Sequence, residues 1–394
     1  GYAGGTNIIT NNPMLGVLGD YGGFTQTVPL QVGSSAINTA NDAFCPATDQ
    51  RGVSRPQNTR CDIGAYEYDA LLYTGIYYVK PVASGTGDCL SWGNACTLQT
   101  ALNISIIGNE IWVAAGTHKP TTITDLLATF QLKNGVAVYG GFTGTETARD
   151  QRDFTANVTI LSGDLNIANV YHVVTGASDA VLDGFTITGG NAKGYAPNNR
   201  GGGMYNNGSN PVLANLIFSA NYAQYGGGGM YNYSSNPMLT DVTFNYNFAP
   251  NGGGIYNDTN SSPTLTNAIF TRNTAVGYGY GGGMYNTIST HPMLTNVTFS
   301  NNSASEGGGI YNRESNPTLI GVSFSDNLAS ETGGGMNNYE SSPTLTNITF
   351  RSNSAKNGGG MHNFVSSPML TNVTFSSNSA KNGGGMHNFV SSPM

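Results

Sequence analysis

GGGMYN at residues 201–206 is the stretch on which the reading of this chain turns, because it returns seven more times. It recurs as GGGGMYN (226–232), GGGIYN (252–257), GGGMYN (281–286), GGGIYN (307–312), GGGMNN (333–338) and GGGMHN (358–363 and 383–388). The apolar residue falls at Met204, Met230, Ile255, Met284, Ile310, Met336, Met361 and Met386, in steps of 26, 25, 29, 26, 26, 25 and 25. A period in the twenties is the signature of a solenoid, whose units bury their apolar faces only by stacking.

A second landmark divides each unit. A proline (Pro211, Pro237, Pro263, Pro292, Pro317, Pro343, Pro368) is followed after seven residues by Phe218, Phe244, Phe270, Phe299, Phe324, Phe350 or Phe375. Asn stands three residues beyond each Phe, and Ala two beyond that. The Pro-to-Phe distance is constant, whereas Phe-to-Met varies from 11 to 14. Constant segments are read as stacked strands and variable ones as turns. In SSPTLTNITF (341–350), Leu345 points in, Thr346 out, Asn347 turns a corner, and Ile348 and Phe350 point in. That is the period of two expected of a strand with one buried face. The expected fold is all-β: a right-handed, three-sided parallel β-helix with three short strands per coil. About eleven coils at roughly 4.8 Å would span about 50 Å.

Composition narrows the function. Charged residues make up 9% of the 394, and the net charge of −7 gives no nucleic-acid footprint. No apolar run is long enough to span a membrane. Four cysteines fall as Cys45 with Cys61 and Cys89 with Cys96, without CxxC spacing. Two local disulfides, and an extracellular setting, are the preferred reading; four free thiols are the alternative.

Several segments carry resemblances. CPATDQRGVSRPQNTRCDIGAYEY (45–68) resembles the closing segment of bacterial surface β-helix proteins of the choice-of-anchor type. YYVKPVASGTGDCLSWGNACTLQTALN (77–103) resembles the N-terminal cap of such proteins, with a short helix around Leu98–Ile104. The GGG[MI] and FxxN motifs (FSAN, FNYN, FTRN, FSNN, FSDN, FRSN, FSSN) are similar to the repeats of chlamydial-type polymorphic outer-membrane proteins. Those are surface adhesins; the third Gly stands where Ala is usual. The resemblances imply a pectin-lyase-like fold and a bacterial surface protein.

The expected organisation is a terminal coil over 1–15, a cap-like segment over 16–68, a linker over 69–76, an N-terminal cap region over 77–129, irregular coils over 130–200 and regular coils over 201–394. Because 4–15 reads as one more copy of the repeat, the chain is expected to join end to end with its own copies. Gly5, Asn12, Pro13, Met14 and Leu15 would meet Met386, Asn388, Pro393 and Met394, giving a filament.

Parallel β-helices also house enzymes that cut acidic polysaccharides, which need clustered carboxylates. Acids in the regular coils occupy unrelated positions, and only Asp164, Asp179 and Asp183 are placed to converge. Lys356 and Lys381 are expected to stack with no acid in register. His362 and His387 share a position but lack a carboxylate to complete a metal set. The expectation is no enzyme, no cofactor and no metal. Tyr205, Tyr231, Tyr256, Tyr285 and Tyr311 are read as an outward ladder and candidate exposed stripe for surface glycans or a neighbouring cell. The alternative functions are a polysaccharide lyase or hydrolase, and a glycan-binding module without catalysis.

Overall fold

A computed structural model describes residues 15, 18–19, 21, 23–30, 34–57, 60–68 and 75–394. The chain divides into two compact units, Gly1–Gly75 and Ile76–Met394.

In the larger unit, strands pair in parallel with the strand one coil away. One regular coil consists of Met230–Tyr233, Met238–Thr240, Thr243–Asn245 and Phe248–Asn251. The ladders form three sheets, of which the largest carries two parallel ladders side by side. They meet at a residue with positive φ, such as Asp241, Asn267 or Asn347, where Asx side chains tolerate the left-handed region. The expected three strands per coil are therefore four. The fourth lies in the variable segment after FxxN and forms an eight-stranded sheet. Its inward residue is the recurring Ala, buried at Ala223, Ala249, Ala275 and Ala329. A strand there tolerates insertion by bulging. In the 29-residue coil, Ala249 pairs with Ala275 but Asn251 pairs with Tyr280.

The parallel ladder also starts earlier than residue 130. Ile76–Val79 pairs with Glu110–Ala114, and that strand with Ala137–Phe142. The helix Leu98–Ile104 buries Leu98, Ala101 and Leu102, and Thr97 caps it by accepting the Thr100 N–H. Cys89 and Cys96 are joined, as are Cys45 and Cys61 in the smaller unit.

Stacked side chains fill the solenoid. Phenylalanine rings from Phe218 to Phe375 lie 4.6–5.1 Å apart and within 11° of parallel. The glycines let the backbone turn against them: Gly252 has φ +60°, and a Cβ on Gly254 would lie 2.5 Å from the Gly283 carbonyl oxygen and 2.9 Å from Phe270.

Two buried asparagine columns lock the register. In one, each Nδ2 from Asn206 to Asn363 donates to Oδ1 of the Asn one coil on, at 2.8 Å. In the other, Asn273 Oδ1 accepts the Asn247 backbone N–H and Nδ2. Asn273 Nδ2 donates to the Phe244 carbonyl and to Asn302 Oδ1. All its amide capacity is used without water.

The smaller unit is knit by buried carboxylates. Asp49 pairs with Arg51 at 2.7 Å and accepts the Glu67 N–H, while Glu67 pairs with Arg55 at 3.2 Å and accepts the Asp62 N–H. The Arg51 guanidinium covers the Tyr66 ring at 3.5 Å.

Asn273→Ala would strand donors and acceptors in two neighbouring coils, each costing roughly 1–3 kcal/mol. It should lower the urea midpoint sharply, whereas exposed Asn382→Ala should shift stability by about 0.5 kcal/mol or less. Denaturation monitored by circular dichroism checks the contrast.

Candidate functional site

The tyrosines of GGG[MI]YN share register: Tyr205 pairs with Tyr231, Tyr231 with Tyr256, Tyr256 with Tyr285 and Tyr285 with Tyr311. They project away from the methionine core as alternation requires, but they are not an exposed stripe. Tyr231, Tyr256, Tyr285 and Tyr311 are buried and Tyr205 is half-buried. Their cover comes from the segment before the glycines. The Arg200 guanidinium lies 4.7 Å over the Tyr225 ring and 5.2 Å over Tyr231. Tyr225 stacks on Tyr256 at 5.9 Å, and Tyr280 approaches Tyr311 at 4.8 Å. Arg200, Tyr225 and Tyr280 were missed as covering residues because they lie in the part of the repeat whose length varies. Their aromatic or cationic character just ahead of the glycines was the available signal. The most exposed tyrosines among the described residues are Tyr195, 94% exposed, and Tyr278, 93% exposed.

The column is electrostatically distinctive. The Tyr231 hydroxyl donates to Asp258 Oδ2, whose other oxygen accepts from the Thr259 hydroxyl at 3.0 Å. Burial, then the Asp258 hydrogen bond, pushes the Tyr231 phenol far above its ordinary range. Burial does the same, as the leading cause, at Tyr256 and Tyr311. His172 continues the column at one end, its ring 5.1 Å from Tyr205.

Toward the other end the tyrosines give way to polar groups. Asn337 Nδ2 donates to Glu306 Oε2 (2.9 Å) and Thr332 Oγ1 (2.7 Å), leaving Oδ1 to His362 Nδ1 at 3.0 Å. His362 and His387 stack at 5.3 Å. His362 is buried, and desolvation followed by repulsion from His387 pulls its pKa down to about 4.

The remaining sequence candidates are dispersed. Asp183 pairs with Arg152 at 2.6 Å and accepts from Asn215 at 2.8 Å. Asp164 accepts the Asn166 N–H, and Asp179 occupies a turn whose N–H meets the Asn210 carbonyl. The three acids thus serve separate partners. Among the described residues there is no group of three or more His, Cys, Asp or Glu able to hold a metal. Lys356 is not without an acid: Glu331, in the bulged part of the preceding coil, pairs with it at 3.0 Å. Of the assembly residues, Gly5, Asn12, Pro13 and Met14 lie outside the described residues, and Leu15 bridges antiparallel to Leu30. Met386 pairs with Met361, Asn388 accepts from Asn363, and the Met394 N–H donates to the Pro368 carbonyl. Pro393 lies beside Met394, beyond the last strand.

Two stretches, 241–258 and 296–313, match the Chlamydia polymorphic membrane protein repeat. Each runs from the corner before the Phe strand, through FxxN and the glycines, to the strand that begins at Ile255 or Ile310. The chain is thus a parallel β-solenoid carrying repeats of that kind. No curated protein sequence matches it. Among solved structures it is similar to pectate lyase Pel9A, with 14% identity over 78% of this chain and 79% of that one, at a TM-score of 0.44. It is also similar to the carrot pectin methylesterase, with 10% identity over 79% and 88% of the two chains, at 0.41. A third likeness is to PfbA, described as a surface adhesin of Streptococcus pneumoniae, with 11% identity over 79% and 93%, at 0.32. No helix among the described residues is long and apolar enough to cross a membrane.

Two measurements check this site. Tetranitromethane should nitrate Tyr195 and Tyr278 of the native chain while sparing Tyr231, Tyr256, Tyr285 and Tyr311, as read by peptide mass spectrometry. His362 should remain neutral in NMR titrations until near pH 4. Its folded pKa lies below the ordinary value near 6.5, so its contribution is full above that value and is lost as pH falls toward 4. The loss is about 3 kcal/mol for a shift of this size.

Proposed function

We propose that this chain is an extracellular structural and adhesive β-solenoid, displayed at a bacterial surface and able to stack end to end with its own copies. The observation that carries the reading is the continuity of the ladders. Phe218 to Phe375 and Asn206 to Asn388 run without a break. Outward positions of the large sheet are mostly short and uncharged, as in the column Thr243, Ile269, Thr298, Ser323 and Thr349. Such a face offers a broad, weakly charged surface to a glycan-bearing cell or a neighbouring solenoid. The polymorphic membrane protein repeats at 241–258 and 296–313 and the two disulfides favour a surface or extracellular setting.

End-to-end stacking is supported by the interchangeability of coils. AKNGGGMHNFVSSPM occurs at 355–369 and again at 380–394, and each coil meets the next through the same strand and amide contacts. The contact is heterologous, so repetition gives a fibre. The enzyme reading is disfavoured by the separate partners of Asp164, Asp179 and Asp183.

The test has three arms. Beads coated with the intact polypeptide should retain cells, and beads coated with heat-denatured chain should not. Negative-stain microscopy at rising concentration should show lengthening rods, and isolated particles throughout would reject the stacking. Incubation with polygalacturonate should yield no unsaturated products above the heat-denatured control; release of such products would replace this function with a lyase.

A further inference from the structure

The tyrosine column has a property beyond ladder packing. From His172 through Tyr205, Tyr231, Tyr256, Tyr285 and Tyr311, successive ring centroids are 5.1, 5.9, 5.1, 4.7 and 5.2 Å apart. Each ring is in contact with the next, so an electron can pass between neighbours without crossing a gap. Solvent reaches this stack through Tyr225, which is 38% exposed and lies 6.5 Å from Tyr231 and 5.9 Å from Tyr256.

Oxidising a phenol by one electron makes its hydroxyl strongly acidic, so the reaction is accessible only where the proton has somewhere to go. A buried phenol normally lacks such an acceptor. Tyr231 has one, because its hydroxyl already donates to Asp258 Oδ2. The Arg200 guanidinium over Tyr225 and Tyr231 opposes a second positive charge on either ring. That favours a neutral radical over a radical cation. Among the described tyrosines of the column, the hydrogen bond to a carboxylate distinguishes Tyr231 as the resting place.

We propose that the column is a one-electron relay, in which an oxidising equivalent delivered at Tyr225 by a soluble one-electron oxidant rests at Tyr231 as a neutral tyrosyl radical, its proton held by Asp258. The balance is local. One electron leaves the column for the oxidant, a metal complex or a peroxyl radical, the Tyr231 O–H bond breaks, and a new O–H bond forms on Asp258. A one-electron reductant in the medium reverses the step, and the proton returns. Met204, Met230 and Met284 lie on the same strands with their side chains fully buried, where conversion to sulfoxide would place a polar group in the core. A column of tyrosines beside them diverts oxidation from those sulfurs.

The experiment uses the full chain with tris(bipyridine)ruthenium(II) as photosensitiser and persulfate as quencher, followed by electron paramagnetic resonance. The wild-type chain should give a neutral tyrosyl signal that decays slowly. Tyr231→Phe should abolish the slow signal, and Tyr225→Phe should lower its yield without changing its lifetime. Asp258→Asn should shorten the lifetime about tenfold, equivalent to some 1.4 kcal/mol on the barrier. Each variant should keep its far-UV spectrum. A slow signal unchanged in Tyr231→Phe, or one lost in the Tyr195→Phe/Tyr278→Phe double variant, overturns the relay. Should Tyr231→Phe fail to fold, an unchanged lifetime in Asp258→Asn overturns it equally.

Discussion

The amide-to-amide hydrogen bond between stacked asparagines is the constraint on which the rest of this structure depends. A carboxamide offers a donor on one edge and an acceptor on the other, so a column of them can satisfy itself at the strand spacing with no other partner. Slip of one coil by a residue would leave a whole run of buried amides unpaired, as well as turning apolar residues outward. The columns therefore set register more sharply than hydrophobic stacking, which tolerates displacement. The start of one column shows the demand clearly. Gly176 takes the place of an Asn before Asn206, and Asn206 Oδ1 is left buried without a partner. Direct contact forbids any side chain there, since a Cβ on Gly176 would lie 1.9 Å from that oxygen.

This locking accounts for how much of the fold was legible. Phe, Asn, Ala and Gly recur because each occupies a position where the coil above and the coil below permit few substitutes. The corner at Asn347 and the inward Leu345, Ile348 and Phe350 could be read directly, and both cysteine pairs lie as their spacing suggests. The fourth strand was not legible for the opposite reason. Its ends vary in length, and variation reads as a turn, yet an edge between two corners can bulge and still pair, as Thr274–Tyr280 does.

The candidate site was harder to read, because burial of an outward side chain is decided by what folds over it. Alternation correctly placed Tyr231 on the opposite face from Met230. It could not tell that Arg200, twenty-six residues before Gly226, bridges to that glycine and brings its guanidinium over the ring. Lys356 and Glu331 illustrate the same limit: counting positions put them out of register, and a bulge brought them together. Period-based reasoning is reliable where strands are regular and loses its footing at each bulge.

The middle and the ends of the aromatic column differ in a way that bears on how the solenoid responds to its surroundings. Around Tyr256, buried rings pack on one another, and burial holds the Tyr256 phenol far above its ordinary range. Around His362, the same position is held by imidazoles linked through Asn337 to Glu306, whose carboxyl is itself pushed up by burial. Acidification therefore loads protons into the ends of the column, at His362 and at His172, which stacks on Tyr205 and whose pKa burial likewise pulls down. Since each coil contributes its own local interface, loss of that interface propagates only to its neighbours, as expected of a one-dimensional stack. The tyrosine coils between them are thus the segment least touched by acid, and the histidine-bearing coils at either end are where such a solenoid would begin to open.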